Sequence, residues 1–431
     1  MAKPARQRRE SASNRSRHNG FMSMRPVATP LEPYTITLRP GNPGLLELDW
    51  ARSIADWTTA QLVDLPRGIS RHTVRFVAFD QGTYAIKELP LKAAQRDYET
   101  LRRLGDVNGP AVRPVGLVVR PLEDPTGEQG ACLITRYIDY SFSYRELLSG
   151  GSFGPRREQL LDAFAMLLAE LHLLGCFWGD CSLSNVLYRY DAGAIETRLV
   201  DGETASIYDT LSDARRQHDI EIMVENVAGE MADIAAEQGV SIEEADLHLG
   251  EDIAARYHAF WRELRAEDRI ERHEHYRITE RVDRLHELGF EVDEIQLVPH
   301  ADGEHVHLKT RVADRNYHTN RLRDLTGIQA AENQARQLLS DLHYYEMTHS
   351  GSLPSNRALA AVRWRVEAFE PMLARLAQRI PPTDDPLQAY CDLLHHRYVI
   401  SARRQQDVGT EAAFTDWLAA GQPGYPLPVR Q

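Results

Sequence analysis

The order of the predicted helices and strands between residues 73 and 201 constrains the fold of this chain more than any single motif does. Runs of β-branched and aromatic residues predict strands, and apolar residues spaced three and four apart predict helices. The predicted strands are 73–79, 83–89, 112–119, 131–137, 185–189 and 197–201, and the helices between them are 92–104 and 156–174. A small sheet with one helix therefore precedes a mostly helical region with a short hairpin, which predicts an α+β fold of two lobes.

A second region begins near residue 270. Its predicted elements are a helix at 277–288, strands at 291–298 and 305–312, and helices through most of 328–420. The chain of 431 residues is long enough for two or three domains. We therefore predict a domain at 31–268, with its first lobe ending near residue 138, and a C-terminal α+β and mostly helical domain at 269–431.

The first 30 residues differ from the rest in charge. They carry seven basic residues against Glu10 alone, whereas the whole chain has a net charge of −13. A polar, basic segment without apolar periodicity is typical of disorder, so we predict a disordered basic arm at 1–30. The acidic remainder repels a phosphate backbone, which makes nucleic acid an improbable partner. An RNA-associated protein that binds through the arm is the alternative.

The cysteines and the apolar stretches indicate a compartment. The four cysteines show no CxxC spacing, and the first twenty residues lack the apolar core of a secretory signal. The most apolar stretch, 160–178, is interrupted by Asp162, Glu170 and His172, so it predicts a buried helix and no membrane span. We expect a cytoplasmic protein.

Lys87 lies in the predicted strand 83–89, within the sequence Tyr-Ala-Ile-Lys. A lysine that points from such a sheet into a cleft can neutralise the α- and β-phosphates of a nucleotide. It needs an acidic partner on the next helix. Asp97 shares a helical face with Leu101 and Leu104, at about 100° per residue, so we favour Asp97 as the partner, with Glu99 as the alternative.

Asp180 and Asn185 lie five residues apart in a loop that follows the long helix. A carboxylate in such a loop can orient an acceptor hydroxyl and take its proton, while the amide oxygen binds Mg²⁺. The preceding helix and the following strand give this spacing most of its specificity. We predict Asp180 as the catalytic base and Asn185 as a metal ligand.

Asp201 ends the last short strand of this region, in the sequence Leu-Val-Asp-Gly-Glu. A carboxylate at that place can bridge Mg²⁺ to the β- and γ-phosphates of a nucleotide, and Glu203 can contribute to a second ion. We therefore add Asp201 and Glu203 to the predicted metal ligands.

Together, these residues resemble the protein kinase-like superfamily, and within it the lipopolysaccharide kinase and aminoglycoside phosphotransferase-like branches. The loop Trp178-Gly-Asp-Cys-Ser-Leu-Ser-Asn185, joined to Glu332-Asn-Gln-Ala-Arg336 and Asp407-Val-Gly-Thr-Glu411, is closer still to an uncharacterised bacterial family. In that family a domain of unknown function follows a kinase-like core. The resemblance covers about residues 70–420.

The resemblance implies a bilobal kinase-like fold with an additional, mostly helical C-terminal domain, and the use of ATP and Mg²⁺. It also implies phosphoryl transfer to a hydroxyl of a small-molecule, sugar or lipid-linked glycan acceptor, and leaves room for a protein partner on the C-terminal domain. The phosphate-covering loop of the family corresponds to residues 66–73, where Gly68 and Ser70 are the candidate contacts.

Two departures from the family pattern define an alternative function. The phosphate-covering loop contains a single glycine, and Trp178 stands where the family usually has histidine. A catalytically weak pseudokinase that serves as a nucleotide-sensing binding or scaffold module is therefore the second hypothesis. Retention of Asp180, Asn185 and Asp201 together favours the active enzyme.

Overall fold

The computed structural model describes residues 34–65, 72–123, 129–147, 156–271, 273–299, 305–349 and 357–425. The predicted basic arm at 1–30 lies outside the described residues. Three groups of elements follow one another along the chain: a sheet lobe, a helical lobe with a hairpin, and a C-terminal region with its own sheet and helices.

The first lobe is a six-stranded sheet covered by one helix. Its strands are β1 (Thr35–Leu38), β2 (Leu62–Val63), β3 (Thr73–Phe79), β4 (Gly82–Pro90), β5 (Pro114–Glu123) and β6 (Gln129–Arg136). The strand order is β1-β5-β6-β4-β3-β2, and the neighbouring strands are antiparallel. Helix α1 (Leu91–Asp106) packs against β5 and β6. The two edge strands β1 and β2 add to the predicted sheet; they are too short to show a clear alternation in sequence.

The second lobe is built around one apolar helix. Its helices are α2 (Tyr144–Leu147), α3 (Arg157–Leu173), α4 (Asp213–Gln238), α5 (Glu244–Leu247) and α6 (Leu249–Arg265). Its strands are β7 (Cys176–Phe177), β8 (Val186–Asp191), β9 (Ala194–Leu199) and β10 (Ser206–Ile207). Strands β8 and β9 form a hairpin, and β7 pairs with β10. Helix α3 is buried along most of its length, because α6 and β9 pack against it. It covers most of the stretch that the sequence predicted to be a buried helix.

A three-stranded sheet opens the C-terminal region. Its elements are β11 (Asp268–Glu271), α7 (His275–Glu287), β12 (Val292–Pro299) and β13 (His305–Val312), with the strand order β11-β13-β12. Leu285 and Phe290 are fully buried in the same hydrophobic core as α3 and α4. This sheet region therefore packs directly onto the second lobe.

Six helices complete the chain around a separate core. They are α8 (Tyr317–Thr326), α9 (Glu332–Thr348), α10 (Arg357–Trp364), α11 (Glu370–Ala377), α12 (Pro386–Arg404) and α13 (Gly409–Ala419). A π-helical turn at Arg365–Phe369 joins α10 to α11. Trp364, Tyr390 and Trp417 are buried in this core.

These elements confirm the predicted α+β fold of two lobes, followed by a mostly helical C-terminal domain. The exact domain boundaries given above remain predictions. In the described ranges, no helix combines the length and the apolar character that crossing a bilayer requires.

Candidate active site

Lys87 lies near the middle of β4, between its antiparallel neighbours β3 and β6. The pairing with two neighbouring strands holds the backbone of Lys87 in place, and its side chain extends from the sheet toward the second lobe. Its Nζ atom is 2.5 Å from Oδ2 of Asp201 and 3.8 Å from Oδ2 of Asp97. One ammonium group therefore lies between two carboxylates that come from different lobes.

Asp97 is completely buried on the inner face of α1. Its Oδ1 accepts a hydrogen bond of 2.9 Å from the backbone N–H of Gly202, whereas its Oδ2 has no hydrogen-bond partner among the described residues. Burial, followed by the nearby Asp201 carboxylate, raises the pKa of Asp97 to about 7, and Lys87 opposes this rise. The Asp97 carboxyl is thus held next to Lys87 at an energetic cost.

Glu99, the alternative partner for Lys87, points away from the cleft. Its carboxylate accepts hydrogen bonds of 2.9 and 3.0 Å from Arg102 on the exposed side of α1. Helical periodicity places Asp97 and Glu99 on different sides of α1, because residues two apart on a helix face different directions. The structure has the two side chains in this arrangement.

Asp180 and Asn185 are in direct contact. The side-chain amide of Asn185 donates hydrogen bonds of 3.1 Å to both the carboxylate Oδ2 and the backbone carbonyl of Asp180. The side chain of Asn226, on α4, donates a bond of 3.1 Å to the other carboxylate oxygen. Two amides therefore fix the orientation of the Asp180 carboxylate.

Asp219, on α4, anchors the start of this loop. Its carboxylate is fully buried and accepts hydrogen bonds from the backbone N–H groups of Trp178, at 2.6 Å, and Gly179, at 2.7 Å. The Nε2 atom of His172 is 3.2 Å from the same carboxylate, and Nδ1 of His172 is 2.8 Å from the Tyr257 hydroxyl. Burial lowers the pKa of His172, which favours a neutral imidazole with a structural role.

Asn226 and Glu230 hold the rest of the loop. Asn226 donates to the carbonyl of Cys181 at 3.2 Å, and Glu230 accepts from the N–H groups of Leu183, at 2.8 Å, and Ser184, at 3.0 Å. A carboxylate that accepts two backbone N–H groups satisfies donors that the loop would otherwise leave unpaired. Helix α4 thus fixes the loop along its whole length.

Trp178 occupies the position at which the family usually has histidine. Its ring is fully buried and stacks on Phe164 at 5.8 Å between centroids. The Thr204 hydroxyl donates a hydrogen bond of 2.9 Å to the Trp178 carbonyl. The loop is therefore connected to the segment after Asp201 through packing and one side-chain hydrogen bond.

Asp201 and Glu203 follow β9 at the same end of the hairpin as Asn185. The N–H of Val200 donates to the Asn185 carbonyl at 3.0 Å, which ties the two ends together. Glu203 donates its own N–H to Oδ1 of Asp201 at 3.2 Å, and its carboxylate lies 3.8 Å from Nε2 of His72. The structure thus brings Asp201, Asn185 and Lys87 to one cleft, whereas Glu203 is not among the residues that line it.

The cleft between the lobes contains about 1070 Å³ of space that no atom occupies, part of it open to solvent. Val74, Ala85 and Leu133 line it from the sheet, and Leu187 and Val200 line it from the hairpin. Lys87, Asn185 and Asp201 lie on its polar wall. The cleft therefore combines an apolar slot with a charged end.

The two halves of the chain match two separate families. Residues 58–248 match the lipopolysaccharide kinase (Kdo/WaaP) family. Residues 259–421 match a family described as a domain of unknown function, DUF4032. The resemblance that the sequence indicated is thus confirmed for both parts.

Among solved structures, the chain is similar to one described as "WaaP in complex with acyl carrier protein". The two share 15% sequence identity, the match covers 52% of this chain and 89% of that chain, and the TM-score is 0.34. No curated protein matches the chain.

The oxygen atoms in the cleft of this kinase-like domain suit Mg²⁺ bound together with a nucleotide. Asp201 supplies a carboxylate, and the amide oxygen of Asn185 accepts no hydrogen bond within the described part of the chain. In that part, no three His, Cys, Asp or Glu side chains form a metal site by themselves. Mg²⁺ usually takes one or two protein carboxylates and completes its shell with waters and phosphate oxygens, so this donor set fits.

The sequence did not reveal the three α4 residues that hold the loop containing Asp180. Asp219, Asn226 and Glu230 are spaced seven and four residues apart, so they share one face of the helix. Met223 and Val227, which lie between these residues on the same helix, are buried, and polar residues are unusual on a buried helix face. The spacing of the three polar residues is the pattern that could have identified them, but a strongly charged helix contains many polar residues at such spacings. Gly68 and Ser70, the predicted phosphate contacts, lie outside the described residues.

Proposed function

We propose that this protein is a Mg-ATP-dependent phosphotransferase that acts on a hydroxyl of a small-molecule, sugar or lipid-linked acceptor. The observation that carries this proposal is the position of Lys87 between Asp97 and Asp201, at the charged end of an apolar cleft. Phosphoryl transfer depends mainly on positioning the reacting groups and on neutralising the charge of the phosphates, and it needs little covalent chemistry from the protein.

The cleft offers a distinct place for each part of the nucleotide. The apolar slot between the sheet and the hairpin suits a flat base, and the Lys87 ammonium suits the α- and β-phosphates. Asp201 and Asn185 would hold the magnesium ion, which neutralises phosphate charge when bound, and Glu203 would assist a second ion. Contacts of Gly68 and Ser70 with the phosphates remain a prediction.

Asp180 would orient the acceptor hydroxyl and accept its proton. The amides of Asn185 and Asn226 hold the carboxylate in one orientation, which is what a positioned base requires. The same two bonds support the second candidate function. Because both carboxylate oxygens already accept a hydrogen bond, Asp180 can be a structural centre of a nucleotide-sensing pseudokinase.

The two functions are separated by measuring binding and turnover on the full chain. Lys87→Met should abolish the rise in melting temperature that Mg-ATP produces, whereas the matched control Lys92→Met, at an exposed lysine, should keep it. Asp180→Asn should keep the rise but lower the rate of ATP hydrolysis by about 100-fold or more. The control for Asp180 is Asp209→Asn, at an exposed position of the same lobe.

Two results would contradict the proposed activity. Binding of Mg-ATP without any ATP turnover by the wild-type protein would support the pseudokinase. Unchanged turnover in Asp180→Asn would remove Asp180 from the mechanism. Absence of any Mg-ATP binding would contradict both functions.

We also propose a reducing, cytoplasmic location for this reaction. Cys132, Cys176, Cys181 and Cys391 are all buried and unpaired by disulfides. Burial raises the pKa of the Cys132 and Cys176 thiols to about 12, which keeps them protonated and unreactive. A protein partner for the C-terminal domain remains a prediction.

A further inference from the structure

A second cavity lies where the hairpin β8–β9 meets the C-terminal domain. It contains about 490 Å³ of unoccupied space, part of it open to solvent, and shares no lining residue with the cleft described above. Its walls come from the segment between α1 and β5, from α3, from the hairpin, and from the beginnings of α8 and α9 with the loops before them. Most of its lining side chains are polar or charged, which distinguishes it from an ordinary packing defect.

Two arginines of the hairpin line this cavity and share one carboxylate. Glu196 accepts hydrogen bonds from Nε and Nη2 of Arg189, at 3.0 and 2.7 Å, and from Nε and Nη2 of Arg198. Each guanidinium keeps its Nη1 group without an acceptor among the described residues. The Arg189 and Arg198 side chains are 25% and 30% exposed, and both line the cavity.

A third arginine lies close to a carboxyl group that lacks hydrogen bonds. Nη1 of Arg315 is 3.6 Å from Oε1 of Glu170, and Nε of Arg315 donates to the Leu288 carbonyl at 2.9 Å. Within the described ranges, the side-chain carboxyl of Glu170 accepts no hydrogen bond, and Arg315 is its ion-pair neighbour. Burial raises the pKa of Glu170 to about 7, and Arg315 and Arg198 oppose this rise, so both guanidinium groups act on the same carboxyl.

The remaining acid of the cavity is already satisfied. The Glu332 carboxylate accepts from the backbone N–H groups of His318, at 2.8 Å, and Thr319, at 3.0 Å, and pairs with Nδ1 of His318 at 2.7 Å. With Glu196 and Glu332 occupied, the charged groups that remain available are N–H donors of three guanidinium groups and one carboxyl, that of Glu170. The cavity therefore has an excess of fixed donors.

We propose that this cavity binds a phosphate group, either as inorganic phosphate or as the end of a small phosphate monoester. Phosphate oxygens accept charge-assisted hydrogen bonds from Arg189, Arg198 and Arg315, and planar guanidinium groups match their geometry. A protonated phosphate oxygen can donate to Glu170, so the single free acceptor is also used. This site is independent of the proposed phosphotransfer, because none of its residues lies in the cleft.

The test is calorimetric titration of the full chain with inorganic phosphate, in the absence of magnesium and nucleotide. Arg315→Gln should weaken binding by about tenfold, since it removes one charge-assisted donor. The matched control is Arg311→Gln, four residues earlier on β13 and 72% exposed, which should leave binding unchanged. Lys87→Met should also leave it unchanged, which distinguishes the cavity from the nucleotide cleft.

A second variant tests the proposal even if Arg315→Gln does not fold. Glu170→Gln should strengthen phosphate binding by about tenfold, because it removes a negative charge next to the anion while keeping an acceptor. Parallel titration with glycerol phosphate identifies the source: binding of both ligands indicates a monoester site, and binding of inorganic phosphate alone indicates a closed site. No binding at millimolar phosphate, loss of binding in Lys87→Met, or an unchanged affinity in both cavity variants would overturn the proposal.

Discussion

Two buried carboxylates, one in the kinase-like region and one in the C-terminal helical core, have opposite surroundings. Asp341, on α9, pairs with the Trp364 indole N–H at 3.0 Å, the Tyr390 hydroxyl at 3.0 Å and Arg397 at 3.3 Å. Asp97, on α1, keeps one buried oxygen without a hydrogen-bond partner among the described residues and lies 3.8 Å from Lys87.

We propose that this difference separates a structural carboxylate from one that serves ligand binding. A buried carboxylate whose hydrogen bonds are all made within the protein stabilises the core and needs no further partner. A buried carboxylate beside a cation that also contacts Asp201 has the arrangement expected for a ligand that redistributes these contacts. We expect the two sites to respond differently to equivalent substitutions.

The largest effect should come from Asp341→Ala. This change leaves the donors of Trp364, Tyr390 and Arg397 without their acceptor, so we expect the free energy of unfolding to fall by about 3 kcal/mol or more. Urea denaturation of the full chain measures this loss. Mg-ATP affinity of the folded variant should not change, and a clear loss of affinity would break the distinction between the two carboxylates.

Asp97→Asn should show the opposite pattern, with its main effect on Mg-ATP affinity. We expect Mg-ATP affinity to fall by about tenfold, because Lys87 loses a charged neighbour. The matched control is Glu99→Gln on the exposed side of α1, which should bind nucleotide normally.

The same variant should change how stability depends on pH. The pKa of Asp97 is about 7 in the folded protein against an ordinary value of 3.8, so the folded state binds the extra proton between these pH values. The contribution of Asp97 to the free energy of unfolding therefore falls as pH rises through this window. Urea denaturation at several pH values should show that Asp97→Asn loses less stability over this range than the wild type. An identical pH profile would contradict the raised pKa.

The smallest effect should come from Gln388→Ala, which tests the connection between the two regions. Gln388 on α12 accepts from the N–H of Ala192 at 2.8 Å and donates to its carbonyl at 3.1 Å, in the turn of the hairpin β8–β9. We expect a loss of about 1 kcal/mol in the free energy of unfolding. The control is the exposed Gln378→Ala. If Gln388→Ala makes the two cores unfold at separate urea concentrations, this turn is a main connection between them.

Local patterns predicted much of the molecule, because helix and strand periods reflect which face each element buries. The strand that contains Lys87 and the buried face of α1 with Asp97 follow directly from these periods. The spacing of Asp180 and Asn185 placed both side chains in one short loop, where the structure shows them in contact.

Contacts between distant elements were not predictable in this way. Asp219, Asn226 and Glu230 each lie 40 or more residues after the loop residues that they contact. Asp219, for example, pairs with Gly179, which is 40 residues earlier. Nothing in the period of α4 tells which loop its polar face meets. The cavity that contains Arg198 and Arg315 also depends on how the C-terminal domain packs on the hairpin.

The amino-acid sequence by itself determined the order of the elements, the buried faces of the helices and the residue types available for nucleotide chemistry, because these depend on short-range periodicity. Only the tertiary structure decided that Lys87 meets Asp97 and Asp201, that α4 fixes the Asp180 loop, and that three arginines line a second cavity. Those contacts join residues far apart in the chain, so their geometry depends on how whole elements pack together.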